Sequence, residues 1–216
     1  EQALGVLGEV AATALASWDA QLAATVTADD TAATTDDADR VDERTAALAR
    51  LLAENQQPVQ VYVLETGHKG TPDFQENLTR LHGTRATLHF LSSPDRLPVF
   101  DADTVIIDAL LGTGLQKPLD GLAQTLVEFL NASGKEIISI DLPTGLFTDR
   151  SSREHTVINA THTLSFQCFK LAFLLPENET YVGKVHILDI GLHPDFPKLH
   201  QPTYRFIDRE LITGFL

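Results

Sequence analysis

Short β-branched runs alternate with stretches of helical spacing along this sequence. Val105, Ile106 and Ile107 form one such run, which suits a strand buried on both faces, and Asp108 closes it. Leu119, Leu122, Leu126, Phe129 and Leu130 then recur at helical spacing. Pro118 suits the first position of that helix, because it has no N–H to leave unpaired there. Gly134 suits its C-cap. Residues 136–141 read as the next strand, with Ile137, Ile138 and Ile140 leading to Asp141. Pro143, Thr144 and Gly145 make the turn that follows.

The same alternation extends to the rest of the chain. Leu4, Val6, Leu7, Val10, Ala14 and Leu15 predict a helix over 2–18. Residues 23–27 predict a weak first strand, with only Val26 and the threonines as strong strand formers. Residues 28–40 are small, polar, acidic and free of glycine, and read as a solvated or poorly ordered segment. Ala46, Leu48, Leu51 and Leu52 resume helical spacing until Pro58. Residues 59–64 form a strand. Residues 66–70 form a loop, and Thr71, Pro72 and Asp73 open a helix with Phe74, Leu78 and Leu81 on its buried face. Residues 86–91 form a strand with Leu88 and Phe90 on one side. Two further strands cover 162–166 and 184–190. No helical pattern separates those two, so they are expected to pair antiparallel at one edge. The expected fold is a Rossmann-like three-layer α/β/α sandwich, a mostly parallel sheet with an antiparallel edge. No linker-like stretch divides the chain, so residues 1–216 are expected to form a single domain.

Charge narrows the partners. A formal net charge of −14 argues against a nucleic-acid or acidic-membrane partner and fits a very soluble cytoplasmic protein or equally one from a salty interior. No apolar run approaches the roughly 20 residues of a membrane helix, and no signal-peptide pattern opens the chain. The lack of Met and the start at Glu1 suggest a chain trimmed from its native start. The one cysteine, Cys168, excludes an internal disulfide framework and reads as a small buried hydrophobe. His68, His82 and His89 read as solvated or packed, since the histidines show no metal-ligand spacing. No GxSxG, P-loop or GxGxxG motif is present.

Candidate chemistry gathers where strands end. Asp108 and Asp141 close consecutive strands, so a parallel sheet sets both at the edge where open α/β sheets bind ligands. Gly112 and Gly114 offer backbone freedom and close approach to a ligand. Asp141, Thr144 and turn carbonyls form an all-oxygen set suited to a hard cation. The same carboxylates suit hydrogen bonds that cap the following turns equally well. Lys170 lies in the apolar run 166–175, where a charge snorkels to the surface or enters a polar site.

The run from Asp108 to Pro118 (DALLGTGLQKP) and the run from Ile140 to Leu146 (IDLPTGL) resemble two motifs of the YjeF N-terminal domain family, the NAD(P)H-hydrate epimerases. Thr163–Phe166 with Lys170, then Tyr181–Val185 and Asp189–Leu192, resemble its closing strands. The resemblance covers about residues 45–193. It implies an isomerase of metabolite repair that interconverts the R and S forms of hydrated NADH and NADPH (NADHX and NADPHX). In bifunctional members a dehydratase domain follows. The resemblance further implies potassium ligation by Asp108 and Thr144, where Thr144 replaces the family's usual Ser. Gly112, Thr113, Gly114, Leu115, Gln116, Lys117 and Pro118 would hold the dinucleotide, with backbone N–H groups facing phosphate. Asp141 would be the acid/base at the nicotinamide ring, and Lys170 would neutralise phosphate or orient Asp141. A homodimer is implied as well. The family's glycine-rich loop should fall near residues 39–45, which here carry Asp39, Asp42 and Glu43 without glycine or asparagine. No binding role is carried to them. Their composition keeps open a second reading, a catalytically inactive dimeric scaffold on the same fold, as in messenger-RNA decapping factors.

Overall fold

The computed structural model describes residues 22–28, 48–65, 72–192, 207 and 212–213. Seven strands form one sheet: β1 Leu22–Ala28, β2 Val59–Glu65, β3 Thr87–Leu91, β4 Val105–Ala109, β5 Glu136–Ile140, β6 His162–Phe166 and β7 Lys184–Leu188. Their spatial order is β3-β2-β1-β4-β5-β6-β7, and every neighbouring pair is parallel. The weakest predicted strand therefore lies inside the sheet. Leu22 is in register with Val59 on one side and Val105 on the other, so ladder bonds on both sides compensate for the modest strand propensity of its alanines. The strand order reverses between β1 and β4. That is the switch point where the carboxyl ends of an α/β sheet open a crevice.

Helix α1, residues 48–54, and α2, Pro72–His82, share one core with a face of the sheet: Leu48, Leu52 and Leu81 meet Val61, Val63, Val105, Ile107 and Ile138. Helix α3, Gly121–Ala132, sets Leu126, Val127 and Leu130 against Tyr62, Leu64, Ile106 and Ile137 of the opposite face. Alternation along β4 thus divides its apolar run between two cores, as its unbroken β-branched character implies. The three-layer α/β/α arrangement is the expected one. The predicted helix over 2–18, most of the polar segment 28–40, the loop at 66–70 and Thr71 lie outside the described residues.

The far edge differs from expectation. Strands β6 and β7 are parallel, with His162 in register with Lys184. The crossover between them is made by single turns, Leu171–Leu174, Pro176–Asn178 and Glu179–Val182, too short to leave a helical period in the sequence. Gly183 ends it at φ 53°. A Cβ there would stand 2.3 Å from the Thr161 carbonyl oxygen and 2.4 Å from that of Ala160. Gly183→Ala is expected to destabilise the fold by about 2 kcal/mol through backbone strain, read as a lower urea midpoint. An unchanged midpoint would mean that this turn relaxes freely.

Other local expectations shift too. Helix α3 begins at Gly121 behind the N-cap Asp120, so Pro118 lies in the approach rather than at the first helical position. Buried Leu119, anchored in the second core, delays the turn into the helix. Gly112 and Gly114 are not among the positive-φ glycines, whereas Gly145 adopts φ 95°. Phe90 is exposed on the edge strand β3, and Leu91 on the opposite side is the buried residue. Cys168 is exposed, because it sits in the tight turn after β6 rather than in the core.

Candidate active site

Asp108 is the fourth residue of β4 and is fully buried. Register places it opposite Ser139 of β5, whose hydroxyl donates to Asp108 Oδ2 at 2.7 Å. Thr144 donates twice from the turn after β5: its backbone N–H reaches Oδ2 at 2.9 Å and its hydroxyl reaches Oδ1 at 2.6 Å. The Leu110 N–H lies 3.5 Å from Oδ1. Thr144 Oγ1 also accepts from Leu111 N at 3.1 Å, which ties the loop after β4 to the turn after β5. Burial pushes the Asp108 carboxyl above the ordinary carboxylate range, and its hydrogen bonds pull it partly back. None of the ion pairs among the described residues includes Asp108.

Asp141 follows β5 directly and sits at φ 64°, in the left-handed region that a non-glycine residue enters at a cost of about 1–3 kcal/mol. Its N–H donates to the Leu164 carbonyl at 2.8 Å, so pairing with β6 maintains the conformation. Asp141 Oδ1 accepts from the Phe166 N–H at 2.9 Å, from Lys170 Nζ at 2.7 Å and from Ser165 Oγ at 3.4 Å. Lys170 Nζ also donates to the Phe166 carbonyl at 2.9 Å. The Lys170 and Asp141 side chains are only 12% and 9% exposed, so Lys170 enters a polar site instead of snorkelling outward. Gln167, at φ 62°, makes the second left-handed turn that returns Lys170 toward Asp141. Two strained non-glycine residues therefore bracket one buried ion pair, as happens where positioning matters more than local stability.

The sequence-predicted residues thus meet as two pairs, Asp108 with Thr144 and Asp141 with Lys170, joined through the turn at 141–145. In its own following turn Asp108 meets the Leu110 N–H at 3.5 Å, while its shorter hydrogen bonds come from Ser139 and the turn after β5. The loop at 112–118 is tied to the next crossover: Thr148 Oγ1 donates to the Thr113 carbonyl and Arg150 Nη2 to the Gln116 carbonyl, both at 3.2 Å. Sequence reasoning missed Ser139, Ser165, Arg150 and Asn178. A serine within the apolar strands of 136–140 and 162–166 was the available signal for the first two. Nothing in the sequence singled out the others. An open groove lined by Arg50, Arg80 and Arg85 lies at the amino-terminal edge of the sheet, away from both carboxylates. Among the described residues, no group of three His, Cys, Asp or Glu could hold a metal ion, and no helix is long and apolar enough to cross a membrane.

Comparison with known proteins places this arrangement in a family. Residues 42–172 match the model for the YjeF-related protein N-terminus. The chain is 30% identical over 149 residues to the NAD(P)H-hydrate epimerase of Oenococcus oeni, a match covering 68% of each protein. It is 37% identical over 111 residues to the bifunctional NAD(P)H-hydrate repair enzyme Nnr of Vibrio cholerae, covering 51% of this chain and 22% of that protein. The chain therefore spans less than a quarter of that bifunctional relative. The crystal structure of yeast ynu0 shares the fold at a TM-score of 0.68 and 15% identity, over 99% of this chain and 81% of that one. With more than half of its length matched, and with a relative of similar extent at 30% identity, the chain belongs to the YjeF-related N-terminal family.

Proposed function

We propose that this domain is an NAD(P)H-hydrate epimerase acting at Asp141. The observation that carries the reading is the buried Asp141–Lys170 pair, held in a strained turn at the carboxyl edge of the sheet beside the Asp108–Thr144 pair. Relatives named NAD(P)H-hydrate epimerase supply the reaction class. Inverting a hydrated carbon requires its C–O bond to break and to re-form on the other face. One proton goes to the departing oxygen, and one returns when oxygen adds again. The proton shared by the Asp141–Lys170 pair can pass to the departing oxygen, which leaves as water, and return to the pair when water adds to the other face, so the pair ends in its starting state. The donors to Asp141 converge on Oδ1, which directs Oδ2 to that proton. Lys170 acts on Asp141 directly by fixing its position. Residues 112–118 would hold the dinucleotide beside it.

The residues around Asp108 fit a potassium ion. A buried carboxylate without an ion-pair partner stands beside the Thr144 hydroxyl, which lies 3.4 Å from the Leu111 carbonyl, and hard cations take such oxygen donors. When bound, potassium would balance the charge on Asp108 and stiffen the turn that carries Asp141. A homodimer is the expected assembly, to be checked by light scattering on the eluting protein.

The composition of residues 39–45 favours a second reading, a binding domain on this fold without catalysis. The deciding experiment is epimerisation of purified R-hydrate, followed by NMR, with and without potassium. Turnover that rises with potassium is the expected result. A folded protein that leaves the R-hydrate unchanged would end the enzyme reading.

A further inference from the structure

The loop between β5 and β6 is more firmly built than its polar sequence suggests. Asn178 is fully buried at its base. Asn178 Oδ1 accepts from the Ser152 N–H at 2.9 Å, and Nδ2 donates to the carbonyls of Ala172 at 3.0 Å and Arg150 at 3.3 Å. Ser152 Oγ accepts from the Phe147 N–H at 2.9 Å, and the Ala172 N–H reaches the Thr148 carbonyl at 3.0 Å. This scaffold presents the exposed Arg150 at the carboxyl edge of the sheet. Its guanidinium carbon lies 4.1 Å from the centre of the Phe147 ring, which itself meets His155 edge-on at 4.7 Å. Nη2 donates to the Gln116 carbonyl of the loop after β4.

We infer that Arg150 is a substrate-binding residue whose guanidinium grips a phosphate of the dinucleotide, an inference that rests on the epimerase reading above. A guanidinium carries five N–H donors in a planar fork matched to phosphate oxygens, and the Gln116 carbonyl engages one of its nitrogens. Stacking on Phe147 fixes its plane in advance, so less side-chain freedom is lost on binding. The site needs such a cation. The exposed Asp149 and a chain of net charge −14 oppose a dinucleotide, and Lys170 is committed to Asp141. Lys117 on the 112–118 loop is a point charge without the fork.

Steady-state kinetics with NADHX and NADPHX test this in wild type, Arg150→Ala and Arg150→Lys, each first shown to be folded by circular dichroism. The expected result is a KM about 10-fold higher or more in Arg150→Ala, with kcat within about 2-fold and partial recovery in Arg150→Lys. A lower kcat at unchanged KM would place the effect of Arg150 in the chemical step rather than in binding and overturn the inference. Calorimetric binding of NADP+ to the same proteins separates the two ideas. If wild type does not turn over, yet binds NADP+ about 10-fold more tightly than Arg150→Ala, the epimerase reading falls and the phosphate grip stands. Equal NADP+ affinity in the two proteins, or no binding to either, overturns the grip.

Discussion

Asp141→Asn is expected to lower the epimerisation kcat by about 10²–10⁴-fold, the range that a positioned acid/base supplies. The substitution is chosen to isolate chemistry from architecture. An asparagine carbonyl at this position still accepts from the Phe166 N–H and from Lys170 Nζ, the bonds that seat the side chain. Its amide cannot take and return a proton. The charge is also lost, which leaves Lys170 beside a neutral partner in a site only 12% open on the lysine side. Removing one member of a buried pair outright costs about 3–5 kcal/mol, and an asparagine that keeps the hydrogen bond should cost less. Thermal melts run with the kinetics therefore show whether the loss of turnover exceeds any loss of folded protein. Lys170→Met provides the complementary variant: it leaves Asp141 charged but without its nearest cation, and kcat should fall because the carboxylate is no longer fixed. An Asp141→Asn enzyme that retains wild-type kcat would remove Asp141 from the chemistry.

Much of this site could be read from strand endings. A β-branched run that closes on aspartate twice in succession is enough to place Asp108 and Asp141 at one edge of a parallel sheet, and both lie there. Lys170 stood out because a charge in an apolar run either snorkels outward or enters a polar site, and the contact with Asp141 decides for the second. What escaped was whatever depends on contacts across crossovers. Ser139 becomes meaningful only when register sets it opposite Asp108. Arg150 lies 34 positions from Gln116, so no local period links them. The parallel β7 was missed because its crossover uses single turns, while prediction by hydrophobic period needs longer helices. Backbone freedom was assigned to Gly112 and Gly114 from their position after a strand. Neither is left-handed, whereas Gly145, Gly183, Asp141 and Gln167 are among the residues that are. For the last two, side-chain type gave no warning, since the neighbouring strands hold the strain in place.

Asp108→Ala is expected to destabilise the protein by about 4 kcal/mol. The carboxylate accepts from the Ser139 hydroxyl and from the Thr144 N–H and hydroxyl, in a place with no access to water. Truncation strands those donors, and each unsatisfied buried donor costs about 1–3 kcal/mol, with the sum reduced by relaxation. Asp108→Asn separates charge from shape. Because burial raises the folded-state pKa of Asp108, its stabilising contribution is complete below the unfolded-state value and is lost as pH rises through the folded one. Above the folded-state pKa the ionised carboxylate therefore carries a desolvation penalty that the amide lacks. The difference in unfolding free energy between wild type and Asp108→Asn should move in favour of wild type as pH is lowered from 7 toward 4, measured by urea denaturation at each pH. Potassium acts on the opposite side of that balance. It should raise the wild-type melting temperature where the carboxylate is ionised, lose effect as pH falls and the carboxyl is protonated, and do little for Asp108→Asn. Sodium at the same ionic strength controls for screening. Equal stabilisation of both proteins by potassium would remove Asp108 from the cation site. A flat pH difference would mean that the hydrogen bonds from Ser139 and Thr144 fully offset its burial.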